Sequence, residues 1–578
     1  FYFELAMLQF NQRKIPEDSQ NLITVFKILI PDYSKSKTIL PNKNVLYPET
    51  TLLDALDLQA EIFLKQNQPK KALESYGLAF YIENLFQAVL VYENSKIITQ
   101  IRNRNRTEKC ISIYYSLYQK DKNISYIEKA FLLAEQTKSG VLKQALSNSK
   151  TNSRTENLIL KQLQNWNAII IKEQQKLELA DVSKINEAIK KQNALMLLLK
   201  SNATKTSNVK ELDLKELYSK LEKDKAILVE YFMGANNMFV FTLNNGEITL
   251  EFVPLIDYAM LKLVQFVGFF MDSKYISDRP ADFNYHAHFA YEILKLPTKS
   301  SNENLIIVPD GILAFLPFEA LITKEGKTTN FAQMHYLLND YKIGYNNSAG
   351  FYLNSIPFRH EKQKVLGVFP LFQGTKLELA FSKKELENLQ DNFKGKYLTN
   401  QNASFKNFKD NAGNYSILHL STHAFSGDVL EPAGIKFYDQ EILYSEFYNM
   451  NLNPDLVVLS ACETGMGKLY KAEGAMSVAR GFQFAGAKNL LFSLWKVNDF
   501  TASVLMENFY SNVKKGNSYF DSNHQAKLDF LNDEKIPNAK KSPYYWSAFV
   551  YYGTLENPNK ANYFLWISLL AGLIGLLL

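Results

Sequence analysis

The stretch Leu456–Asp499, LVVLSACETGMGKLYKAEGAMSVARGFQFAGAKNLLFSLWKVND, constrains the fold more than any other part of the chain. Leu456 to Leu459 form a short, unbroken apolar run, which predicts a strand buried on both faces of a parallel sheet. Cys462 falls where that strand should end, and Gly465 and Gly467 loosen the chain behind it. From Gly474 the pattern turns helical through Ala475, Met476, Val478, Ala479, Phe482 and Phe484, and Gly486 supplies a stop. A second apolar strand follows over Leu490 to Leu494. Strand, loop, helix and strand in this order put a thiol at the carboxyl edge of an open α/β sheet, the edge where such sheets keep their chemistry.

Taken alone, a cysteine at a strand end is more often packing than nucleophile. The segment Ser416–Ala424, SILHLSTHA, changes that balance. Ile417, Leu418 and Leu420 make another short strand, with His419 inside it and His423 beyond its end. Cys462 follows His423 by 462 − 423 = 39 residues, room for one further strand pair and a turn. A histidine and a cysteine at the ends of neighbouring strands can form a dyad, in which imidazole deprotonates the thiol or pairs with the thiolate. His423 is the better base, whereas His419 reads as a packed or hydrogen-bonded core residue.

These segments, together with LIIVPDGILAFLPFEAL (Leu305–Leu321), KVLGVFPLF (Lys364–Phe372) and PYYWSAFVYYG (Pro543–Gly553), resemble the CHAT domain. That family has a caspase- and separase-like cysteine peptidase fold and often follows tetratricopeptide repeats. The resemblance runs in ordered blocks from about Ala226 to Gly553. It implies Cys462 as nucleophile, His423 as base, and the backbone amides of Ala424 and Cys462 as the oxyanion hole. It also implies that an acidic residue in the loop after the next strand meets a basic substrate side chain. Asp499 occupies that place, but Asn498 stands where the family often has a second carboxylate. The alternative for Asp499 is a helix cap. Glu463, and with it Glu473, is placed to line the substrate pocket or hold the loop. No third triad member is evident, and a His/Cys peptidase needs neither metal nor cofactor.

The chain of 578 residues has room for two to four domains, and its net charge of +6 is too small to argue for nucleic acid. Two cysteines, Cys110 and Cys462, make no disulfide framework. Residues 1–150 read as tetratricopeptide-like helical repeats, clearest in Leu52–Ala88, where two helices flank a polar turn at Gln66–Pro69. A second unit runs from Cys110 to Ala145. An ordinary helical bundle is the alternative. Repeats bury their faces on neighbours, so more of them are expected before residue 1. Residues 151–224 predict a helical hairpin linker, and 225–556 the peptidase domain. That domain opens with three closely spaced strands that only an antiparallel meander can join.

The tail, ANYFLWISLLAGLIGLLL, is free of charge from Tyr563 onward, and predicts a transmembrane helix over 561–578, against the alternative of a buried core helix. The expected fold class is therefore an N-terminal helical repeat region, a caspase-like α/β sandwich with a mainly parallel sheet, and a C-terminal transmembrane helix. The expected function is a bacterial, single-pass membrane cysteine endopeptidase. It would cut protein substrates under the control of a regulatory protein bound to the repeats. A catalytically silent scaffold is the rival reading, and a small-molecule hydrolase the remotest.

Overall fold

A computed structural model describes residues 2–557, apart from 13–14, 31–32, 34–39, 90–92, 144–157, parts of 160–178, 203–211, 256–257, 356–357, 359–362, 428–431, 451 and 471–472. Residues 558–578 lie outside the described part. The chain divides into two compact units, Phe1–Val141 with Lys200–Asn208, and Leu142–Leu199 with Val209–Leu578.

The first unit is helical: α1 (Tyr2–Asn11), α2 (Ile15–Leu29), α3 (Thr50–Lys65), α4 (Pro69–Val89), α5 (Glu93–Asp121) and α6 (Ser125–Gln136). Helices α3 and α4 form the hairpin expected from Leu52–Ala88. Glu49 caps α3 by accepting the Leu52 N–H at 2.6 Å. Asn67 takes φ 56° in the turn, and Pro69 opens α4, where a missing N–H costs nothing. Ala60, Ala72 and Ala79 are fully buried, small residues that let helices approach closely. Arg106 of α5 holds Asp57 of α3 in a two-point pair, Nε–Oδ1 2.6 Å and Nη2–Oδ2 2.8 Å. Cys110 packs into the same core beside Tyr76, and burial pushes its thiol up, so it is an inert packing residue.

Helices α7 (Val182–Asn202) and α8 (Leu214–Lys223) lie in the stretch expected as a hairpin linker, part of which falls outside the described residues. The second unit is built on an eleven-stranded sheet. Its strands are β1 (Ala226–Met233), β2 (Asn237–Asn244), β3 (Glu247–Pro254), β4 (Asn304–Val308), β5 (Lys342–Tyr345), β6 (Val365–Phe369), β7 (Gly395–Thr399), β8 (Ile417–Ser421), β9 (Leu456–Ser460), β10 (Leu490–Ser493) and β11 (Phe549–Tyr552). Across the sheet they run β3-β2-β1-β4-β5-β11-β10-β9-β8-β6-β7. The meander β1–β3 is antiparallel, with Asn245 and Gly246 at φ 51° and 78° in the tight turn. At the edge, β3 alternates largely between buried and exposed positions. The central strands β6, β8 and β9 are buried at every position, which is why they carry mostly apolar residues, with His419 as the interruption in β8. Among the helices of this unit are α9 (Ala259–Gly268), α10 (Pro280–Ile293), α11 (Ser382–Asn392), α12 (Val478–Phe484), α13 (Asp499–Lys514) and α14 (Tyr519–Asn532). Of these, α11 packs on α13, and α13 on α14.

The sheet is mixed and mainly parallel: β11 runs antiparallel to β10, and the meander adds two further antiparallel pairings to the parallel ones. One expectation needs correction. The transmembrane helix and the single-pass membrane placement are not upheld. Among the described residues no helix is long and apolar enough to cross a membrane. The longest, α5, carries Arg102, Arg104, Arg106 and Lys109 through its middle. The predicted span over 561–578 lies outside the described residues.

Candidate active site

Strands β8 and β9 are parallel neighbours, and their last paired rung joins Ser421 to Ser460. His423 and Cys462 each follow that rung by two residues, so both leave the sheet at the same level of its carboxyl edge. Within the strands the two-residue side-chain period puts His419 and Ser421 on one face, together with Val458 and Ser460. The shared register therefore brings the two motifs to one edge of the sheet.

Cys462 is partly buried in the turn after β9. Burial pushes its thiol above the ordinary range, and the carboxylates of Glu463 and Asp499 add to that. A hydrogen bond from the Val497 amide and the charge of Lys496 act in the opposite direction. Behind it Glu463 sits in left-handed backbone at φ 53°, with its N–H on the Trp495 carbonyl at 3.3 Å. Ser493 of β10 fastens the turn. Its hydroxyl donates to the Ala461 carbonyl at 2.5 Å, and its carbonyl accepts the Gly465 N–H at 2.8 Å. Gly465 is required there, because a Cβ would stand 2.5 Å from the Phe492 ring and 3.0 Å from the Ser493 carbonyl.

His423 lies under the segment 371–381. Its Nε2 is 2.8 Å from the Leu377 carbonyl, an atom that only accepts, so Nε2 carries the proton. In the neutral ring Nδ1 is then the basic nitrogen. The Phe372 ring lies 5.7 Å from the imidazole and stacks on Tyr438, with Leu371 and Phe372 both in left-handed backbone. Ala424 begins a small three-stranded sheet with Gly434–Lys436 and Glu441–Leu443. The Lys436 N–H donates to the His423 carbonyl at 2.8 Å, which makes 423/436 a bonded rung. On the next rung, Ala424 opposite Ile435, N–H and C=O point away from the partner strand, as an oxyanion donor requires.

Asp499 does not cap α13. That role falls to Asn498, whose side chain accepts the Thr501 N–H at 3.3 Å. Asp499 instead accepts the Phe381 N–H at 2.8 Å, tying down the far end of the segment that covers His423. Burial pushes the Asp499 carboxyl up and Glu385 adds to this, while the Phe381 bond and the nearby His423 pull it down. Asp499 thus shares an electrostatic neighbourhood with both His423 and Cys462. Glu473 is buried against Arg480, Oε2 to Nη2 2.5 Å, so it holds the loop before α12. Among the described residues no group of three or more His, Cys, Asp or Glu side chains is arranged to hold a metal.

Sequence reasoning passed over the layer beneath the site. Glu385 of α11 is 4% exposed. It accepts hydrogen bonds from Ser421 at 2.9 Å and Ser460 at 3.2 Å, both on Oε2. Its Oε1 lies 3.0 Å from His419 Nε2, an ion-pair separation without the alignment of a hydrogen bond. His419 is fully buried, as expected; Nδ1 meets the Tyr510 hydroxyl at 2.9 Å and the ring stacks on Phe369. A signal was present in the sequence: Ser382, Glu385, Leu386 and Leu389 form the inward stripe of α11, and a carboxylate in such a stripe demands a partner.

A large mixed sheet with flanking helices, and a histidine and a cysteine at one edge, define a caspase-like α/β arrangement. Residues 286–554 match the family model of the CHAT domain. The match begins after the meander, although β1–β3 belong to the same sheet. No curated protein matches the chain significantly. Two crystal structures of the Saccharomyces cerevisiae separase–securin complex are distantly similar. Their TM-scores are 0.41 and 0.38 at 12% and 10% identity, each over 96% of this chain. This chain spans 46% and 47% of the chains matched there, less than half their length. The Arg-specific cysteine proteinase gingipain R gives a TM-score of 0.31 at 10% identity, over 48% of this chain and 67% of its own.

Proposed function

We propose that the chain is a cysteine endopeptidase of the CHAT type that cuts protein substrates through Cys462 and His423. The observation that carries this is the register: both residues stand two positions beyond the same Ser421/Ser460 rung, at the carboxyl ends of adjacent parallel strands. The thiol is raised by burial, so it rests protonated, and His423 acts as general base through Nδ1 rather than as a standing ion-pair partner. The thiolate adds to the scissile carbonyl, and the amides of Ala424 and Cys462 receive the developing oxyanion. The imidazolium then returns its proton to the leaving amine. Water hydrolyses the acyl-enzyme in the second half of the cycle. The carboxylate of Asp499 meets a Lys or Arg side chain of the substrate, and Glu463 stands beside the same cleft. The helical repeats over 1–150, joined through 151–224 to the peptidase domain over 225–556, bind a regulatory protein. The deciding experiment compares new protein N-termini produced in cells by the wild type and by Cys462→Ala. A set of cleavages that depends on Cys462 is expected. Identical sets would leave the chain a silent scaffold.

A further inference from the structure

Beneath the dyad lies a polar cluster that packing alone does not call for. Glu385, Ser421, Ser460, His419 and Ser382 are each between 0 and 7% exposed, in a core otherwise made of Leu, Val, Ile and Phe. A buried carboxylate is costly unless its lone pairs are filled, and an apolar side chain of similar size would pack here without that cost. What the carboxylate achieves is geometric. A single oxygen, Glu385 Oε2, accepts from Ser421 of β8 and from Ser460 of β9, the two residues that face each other across the last rung. Ser382, the first residue of α11, meets the Ser421 hydroxyl from the other side at 2.8 Å. Oε1 faces His419, which Tyr510 of α13 fixes from its far nitrogen. Two helices are thereby tied to the two strand ends, and each of those ends carries one member of the dyad two residues on.

We infer that Glu385 is a positioning residue: it clamps the carboxyl ends of β8 and β9 at one fixed separation, and so sets the approach of His423 to Cys462. This rests on the reading of those two residues as a dyad. Glu385 touches neither the thiol nor substrate, and it acts through Ser421 and Ser460. Sub-ångström placement matters to such a pair, since a displacement of ~1 Å can cost on the order of a hundredfold in rate.

The test uses the full chain and three variants: Glu385→Leu, Glu385→Gln, and the double variant Ser421→Ala, Ser460→Ala. Rates are referred to titrated Cys462 thiol, so that loss of folded protein does not count. The amide oxygen of Gln can still accept both serine hydroxyls, while Leu cannot. Glu385→Leu and the double serine variant are each expected to lower kcat by about ten- to a hundredfold with KM little changed. Glu385→Gln should restore most of that. Combining Glu385→Leu with the serine pair should add little, because all act through one contact. If Glu385→Leu does not fold, the milder serine variant carries the test. A merely structural role would lower thermal stability and leave kcat per titrated thiol unchanged in every variant, which would overturn the clamp.

A second readout does not require peptidase activity. Alkylation of Cys462 by iodoacetamide is measured with and without His423→Ala, in the wild-type and serine-variant backgrounds. The clamp predicts that His423 accelerates alkylation in the wild type and that this coupling is lost in the variant. Equal coupling in both backgrounds would overturn the clamp. If the wild type shows that coupling but no cleavage that depends on Cys462, the peptidase reading fails while the clamp stands.

Discussion

At Cys462 the balance between burial and local donors settles which protonation state rests in the site. Burial comes first and raises the thiol, with Glu463 and Asp499 adding to it; the Val497 amide and Lys496 only oppose it. A thiol raised in this way exposes little thiolate at neutral pH, and its fraction climbs about tenfold per pH unit until the shifted pKa is reached. Alkylation of Cys462 by iodoacetamide should therefore keep rising from neutral into alkaline pH. A rate already flat at neutral pH would show a standing thiolate instead. Asp499 affects the same site from a second direction. Removing its charge in Asp499→Ala should lower cleavage after Lys or Arg by roughly ten- to a hundredfold, the worth of a charge-assisted contact of about 1.5–3 kcal/mol. Because that carboxylate also raises the thiol, alkylation of Cys462 should quicken modestly rather than slow. A peptide-library profile paired with alkylation rates separates the two effects. A preference that is unchanged by the substitution would leave Asp499 as an anchor for Phe381 alone.

One level up, the turn between β9 and α12 depends on close backbone approach to β10. Gly465 hydrogen-bonds Ser493 and lies against the Phe492 ring, so Gly465→Ala must move either the ring or the turn that carries Cys462. Overpacking of this kind costs about 1–3 kcal/mol. The expected outcome is a lower midpoint in urea together with slower cleavage per titrated thiol, whereas Gly374→Ala, in open space, tests only the left-handed backbone. The segment 371–381 is the other element that decides what the site looks like. It places a carbonyl on His423 Nε2 and an N–H on Asp499 Oδ2, contacts that no apolar period could have foretold.

For the peptidase unit as a whole, stability hangs on a few buried charges far from the dyad. Glu319 accepts from Lys527 at 2.6 Å and from Tyr345 at 2.5 Å, joining the turn at Phe318–Ala320, β5 and α14. Burial pushes Lys527 down even with that partner beside it. Glu319→Ala would strand the ammonium and should cost about 3–5 kcal/mol, while Glu319→Leu with Lys527→Met should recover most of the loss; urea unfolding measures both. His524 of the same helix is held down to about 4 from 6.5, by burial first and then by the charges of Lys342 and Lys527. A folded pKa below the unfolded one means the contribution is complete above about 6.5 and is lost as pH falls toward about 4. Unfolding free energy should drop over that window by roughly 2–3 kcal/mol, and His524→Gln should flatten the slope.

The sequence by itself determined much of this. The unbroken apolar run Leu456–Leu459 marked β9 as a buried parallel strand, because a strand covered on both faces has no polar side to alternate with, and Ile417, Leu418 and Leu420 marked β8 as another short strand. The short links of β1–β3 forced antiparallel pairing, and the polar turn before Pro69 set the α3–α4 hairpin. His423 and Cys462 were legible as candidates because each follows such a run by a fixed step. Tertiary structure alone decided the rest. Strand order and register, which bring 423 and 462 to one level, are pairings between segments distant in the chain. So are the engagement of Asp499 by Phe381, the assignment of the α13 cap to Asn498, and the antiparallel return of β11. Glu385 stands between the two cases: its place in an apolar helical stripe was visible, but its partners Ser421 and Ser460 lie 36 and 75 residues away, and only folding brings them to one oxygen.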